Sequence, residues 1–112
     1  MNLESLEKKF KKMTWQQQMG NLASTLGRVS NHAKSIESDQ IVTNGLREAA
    51  HIIEWSVSDV PPEFAFELAN IQRELSAWRR IWPVEGARHL LALHARNQSH
   101  RLLQMGGYYQ TS

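Results

Sequence analysis

The chain has 112 residues, enough for one domain with its own core and too few for two. It contains no cysteine, which excludes thiol catalysis, thiolate metal sites and a disulfide scaffold, and makes a reducing, cytoplasmic setting the natural expectation. Thirteen Lys and Arg stand against eleven Asp and Glu, and the resulting formal charge of +2 does not by itself demand a nucleic acid.

Leu3, Leu6, Phe10 and Met13 follow helical spacing and define an N-terminal amphipathic arm over residues 1–13. The arm's frequent charges do not fit a signal-peptide core. Continued straight through Thr14, its stripe would lie opposite the next one, so the N-terminal piece is expected to be either a separate short helix or an arm with its own partner. Trp15, Met19, Leu22, Leu26, Val29, Ala33 and Ile36 then recur at alternating spacings of four and three, the period of a helix seam packed at a shallow angle. Thr14 with Gln17 fits a capping box, so a first long helix is predicted over 15–36. Gly20 and Gly27 weaken it and offer places for close approach.

A second, acidic helix over 38–57 turns Val42, Leu46, Ala49 and Ile53 inward, with Asn44-Gly45 softening its first turn. Pro61-Pro62 marks a restart. The third helix carries Phe64, Leu68, Ile71, Leu75, Trp78 and Trp82 and stops at Pro83. A fourth, over 84–104, places Val84, Ala87, Leu91, Ala95, Leu102 and Met105 on one side, and Gly106-Gly107 supplies a C-cap. No segment alternates with a period of two. The expected fold is an all-α single domain: an up-down bundle of about four helices over 14–105, preceded by the arm and followed by a flexible tail over 106–112. The short Trp82–Val84 connection allows a kinked corner instead of a reversal. No run approaches the roughly 20 apolar residues of a membrane span.

Glu48-Ala-Ala-His51 has the Glu-x-x-His spacing of di-iron bundles, but the facing helices offer no second copy, and His51 projects away from the Ala49/Ile53 side. A locally charge-paired face is the preferred reading, with a metal-binding bundle as a remote alternative. On the fourth helix His89, Arg96 and His100 share a face with Arg88 at its edge, an arrangement suited to phosphate, or to zinc with neutral imidazoles and a ligand from another helix. His94 falls near the apolar side and is expected to be a partly buried, hydrogen-bonded residue. No serine-histidine-acid set and no phosphate loop is present, so neither catalysis nor a cofactor is expected.

Large apolar residues off the main stripes point to a protein interface: Trp55, Phe66, Ile81 and Leu93, with Tyr108 and Tyr109 in the tail. The leading expectation is a non-enzymatic helical protein acting through self-association, as a homo-oligomer, or through another protein partner. The alternative is a nucleic-acid-binding module that uses Lys8, Lys9, Lys11 and Lys12 on the arm and Arg88, Arg96 and Arg101 on the last helix.

The run His51-Ile-Ile-Glu54-Trp55-Ser56, then Asp59, then Ile71-Gln72-Arg73-Glu74-Leu75 and Trp78, resembles a group of small uncharacterised proteins of cyanobacteria. The resemblance covers roughly the last two-thirds of the chain. It implies a cyanobacterial source and a cytoplasmic setting, attaches no activity, and assigns no residue a role.

Overall fold

The computed structural model describes residues 3–108, all of them helix, turn or connection. Among the described residues there are five α-helices: α1 (Leu3–Lys11), α2 (Trp15–His32), α3 (Asp39–Ser56), α4 (Pro62–Ile81) and α5 (Arg88–Met105). Short 3-10 turns at Ile36–Ser38 and Glu85–Ala87 lead into α3 and α5.

The boundaries follow local chemistry. At the start of α2 the Gln17 amide N–H donates to Thr14 Oγ1 (3.1 Å), and the Thr14 N–H donates to Gln17 Oε1 (3.0 Å). Each residue thus satisfies a donor that the helix leaves free. At the far end α2 stops at His32, short of the predicted 36, because the chain must turn to start α3 at Asp39. Ile36 therefore lies in the 3-10 turn, 63% exposed, instead of in the seam. Val84 also leaves its expected inward position, since it is an extended, exposed residue ahead of α5. The Trp82–Pro83 peptide before it is cis. α5 ends in a Schellman motif: the Tyr108 N–H donates to the Leu103 carbonyl (2.9 Å) and the Gly107 N–H to Gln104 (3.1 Å). Gly107 adopts φ 81°, a conformation that costs glycine little.

The core forms where the predicted stripes meet. Met19, Leu22 and Leu26 of α2 are buried with Leu46 of α3, Leu68 and Leu75 of α4, and Leu91 and Leu102 of α5. Each such side chain contributes on the order of 2 kcal/mol by leaving water. α2 is flanked by α3 and α5, and α4 packs on α3. The principal extents are 40 × 36 × 19 Å, so the molecule is roughly two helix diameters thick.

Small residues set the closest approaches. Ser99 Oγ donates to the Ala23 carbonyl (2.8 Å) and Ser30 Oγ to that of Ala92 (2.7 Å), an antiparallel pairing of α2 and α5. Between α2 and α3, a Cβ on Gly45 would stand 2.7 Å from Val29 Cγ2. The Asn44-Gly45 pair, a helix-weakening signal in the sequence, here lets two helices touch. α1 is a separate helix that packs on α3. Phe10 is buried with its ring 5.7 Å from that of Trp55. Buried Gln18 fixes the same end of α1 by donating Nε2 to the Phe10 carbonyl (3.3 Å) and to Asp59 (3.1 Å).

Candidate interaction surface

α4 and α5 lie side by side without closing on one another. Positions at helical spacing, just outside each core stripe, carry long polar side chains: Glu67, Asn70 and Glu74 on α4, and His94, Gln98 and Arg101 on α5. They line an open cleft of about 410 Å³. A ladder of polar contacts crosses it. The Arg101 guanidinium takes both oxygens of Glu67, with Nε 3.1 Å from Oε2. His94 Nδ1 stands 3.4 Å from Glu74 Oε2, and Gln98 donates to the same carboxylate. The bonds from Arg101, and secondarily its charge, hold the Glu67 carboxyl below its ordinary range against the opposing effect of desolvation. The same pairing raises the Arg101 pKa. His94 is half-buried with its ring 6.4 Å from that of Trp78, as its position beside the apolar stripe suggested.

Beyond the polar ladder, apolar side chains reach solvent. Phe66 is 79% exposed on α4, and Ile81 and Leu93 are each 53% exposed, on α4 and α5. Leu90 joins them at 54%. It escaped the sequence reading although it lies one turn before Leu93 and leans the same way.

Of the three other residues expected at an interface, Trp55 and Tyr108 also make contacts within the chain, Tyr108 remaining 50% exposed, and one lies outside the described part. Trp55 is half-buried, because α1 returns over α3 to bring Phe10 against it, and its other neighbour is the His51 ring, stacked at 5.6 Å and 16°. Tyr108 docks on the chain's own α2. Its hydroxyl donates to the Gln16 carbonyl (3.1 Å), and a Cβ on Gly20 would fall 2.7 Å from the Tyr108 hydroxyl oxygen. Tyr109 lies outside the described residues.

The basic set also divides. Lys8, Lys9 and Lys11 on α1 and Lys12 just after it are exposed, and Glu4 and Glu7 share a surface hollow with Lys8, Lys11 and Lys12. Arg88, expected at the edge of a basic face, is instead 6% exposed and structural. Its guanidinium grips both oxygens of Asp39 (2.6 and 3.0 Å), donates Nε to Glu85 (2.9 Å) and reaches the Ala33 carbonyl (3.4 Å). It also lies 5.1 Å from the centre of the Trp82 ring. These bonds raise the Arg88 pKa further and hold Asp39 below its ordinary value. One side chain so ties the end of α2 to the starts of α3 and α5. The sequence could not show this, since the partner carboxylate is 49 positions away. Arg101 is committed to Glu67, which leaves Arg96 exposed on the outer side of α5.

The Glu48-x-x-His51 pattern separates as well. Glu48 pairs with Arg28 (3.0 Å), while His51 stands 3.9 Å from Glu54 and stacks on Trp55. Among the described residues no three His, Asp or Glu side chains gather to hold a metal ion. No helix of the described residues is long and apolar enough to cross a membrane. No protein-family model, curated protein or solved structure matches the chain.

Proposed function

We propose that this protein is a helical interaction module that self-associates through the outer face of α4 and α5. In this reading its four longer helices act as an up-and-down bundle with one seam left open. The observation that carries it is the exposure of Phe66, a large aromatic side chain standing 79% in solvent. Ile81, Leu90 and Leu93 share the outer sides of the same two helices. Aromatic and aliphatic side chains beside charged ones are what protein interfaces enrich.

A second copy is the partner favoured by the distribution of charge. The cleft's carboxylates, Glu67 and Glu74, come from α4 together with one basic side chain, Arg73, while His94 and Arg101 come from α5. A twofold axis that lays α4 of one copy over α5 of the other would let Arg101 and His94, paired with Glu67 and Glu74 within the chain, exchange those partners across the interface twice. Sedimentation velocity on the Phe66→Ser, Leu93→Ser double variant tests the reading. The wild type is expected to dimerise and the variant to sediment as a monomer with unchanged far-ultraviolet circular dichroism. A monomeric wild type, or a variant that keeps the wild-type mass, removes the proposal.

A further inference from the structure

The apolar stripe of α1 is only partly used by the fold. Phe10 is buried, but Leu3 is half-exposed and Leu6 only partly covered. Across from them α3 presents Arg47, His51 and Trp55 at every fourth position, with Ile52 beside them. An open groove of about 640 Å³ separates the two helices. This volume lies within the roughly 300–1,000 Å³ typical of small-molecule sites, and the mixture of an apolar floor with a few polar groups is also typical.

The α3 side of the groove and the C-terminal end of α1 are set before any ligand arrives. Gln18, itself fully buried, anchors the Phe10 carbonyl, and Trp55 is clamped between the rings of Phe10 and His51. A preorganised floor and end lower the ordering cost of binding. The charges at the rim are unbalanced. Lys9 of α1 and Arg47 of α3 both line the groove, and neither makes an ion pair among the described residues. Its one lining carboxylate, Glu48, is taken by Arg28 at 3.0 Å.

We propose that the groove between α1 and α3 binds a single-chain anionic amphiphile of the medium-chain fatty-acid type. The hydrocarbon lies along Leu6, Met13, Ile52 and Trp55, and the carboxylate meets Lys9 and Arg47. This site is separate from the α4/α5 face and does not depend on it. A flat lipid surface fits the same residues less well, because Phe10, the largest apolar side chain of α1, is turned inward and 6% exposed. A slender chain can enter a walled groove with a recessed floor, whereas a bilayer surface cannot.

Calorimetric titration with sodium decanoate and with decyltrimethylammonium, which has the same chain length and the opposite charge, tests the assignment. Decanoate is expected to saturate one site per chain below its micelle-forming concentration. The cationic amphiphile should bind at least about tenfold more weakly, the scale of a lost charge-assisted hydrogen bond. The Lys9→Glu, Arg47→Glu double variant should reverse that order. If the double variant fails to fold, Arg47→Gln alone, a change at an exposed site, must still weaken decanoate binding. Equal affinity for the two head charges, an absence of saturation, or an unchanged profile in the folded variant overturns the proposal. So does adsorption to phosphatidylglycerol vesicles by a protein that does not take up decanoate, which would assign the groove to a lipid surface.

Discussion

Along one flank α5 meets α2 through Ala92, Ala95 and Ser99, side chains small enough to let the two backbones come together. Along its other flank it meets α4 through His94, Gln98 and Arg101, and the helices stand apart around the 410 Å³ cleft. Side-chain length explains the contrast. Alanine and serine fill little space, and the serine hydroxyls turn inward onto carbonyls, so water is expelled. Long polar chains bridge a gap they themselves keep open, and their charged ends stay hydrated. The stabilising energy of the fold is therefore concentrated around α2. Ion pairs as exposed as that of Arg101 with Glu67 contribute at most about 1 kcal/mol. A seam held so lightly can be rearranged at small cost, as a docking surface requires.

Cutting into the closed side should have the largest effect. Leu102 is fully buried on α5, and Leu102→Ala is expected to cost about 3–5 kcal/mol. Urea unfolding would show a lower midpoint at unchanged slope. A cost below about 1 kcal/mol would mean that the α5 core seam is not where stability resides.

The glycines give a finer comparison. Gly45→Ala puts a methyl against the stiff Val29 side chain and is expected to destabilise by about 1–3 kcal/mol. The clash should outweigh a gain in helix propensity of up to about 1 kcal/mol. Gly20→Ala meets the outer edge of the half-exposed Tyr108 ring, at its hydroxyl oxygen (2.7 Å), Cζ (2.9 Å) and Cε2 (3.2 Å), and since that side chain can swing aside the propensity gain should prevail. Thermal melts of the two variants should move in opposite directions.

The smallest effect belongs to the open seam. Arg101→Met should cost less than about 1 kcal/mol and less again in high salt. Because the folded Glu67 carboxyl lies below its ordinary value of 4.5, the pair's contribution is fully present above that range. It is lost as pH falls through the folded pKa, where the unfolded chain already binds the proton. The difference in melting temperature between wild type and Arg101→Met should therefore shrink below about pH 4.5. A difference that persists at acid pH would locate the role of Arg101 elsewhere.

What the sequence makes legible is periodic and local. The alternation of four and three from Trp15 to Val29, the Thr14–Gln17 cap and the restart at Pro62 each translate directly into structure, because each depends on neighbours within about one helical turn. Phe66, Ile81 and Leu93 were legible as surface for the same reason, since they fall off a stripe that the structure buries. Ile36 was misplaced because arithmetic spacing continued past the point where the backbone turned. The burial of Arg88 and the contact of Trp55 with Phe10 were not legible, since Asp39 and Phe10 belong to helices whose positions no local pattern encodes. The groove beside α1 was invisible for the same reason. Its stripe was readable, and its need for a partner could be inferred, but the α3 residues that partly supply one could not.

The placement of α2 between α3 and α5 also ranks the motions of the molecule. An amide proton in the middle of α2 can reach solvent only when both neighbours come away, so its deuterium exchange should report opening of the whole fold. α1 is attached chiefly at its C-terminal end, through Phe10 and Gln18, and can lift without disturbing that centre. Exchange at Leu6 should therefore run ahead of exchange at Leu26, and the gap between the two rates measures how independently the groove breathes.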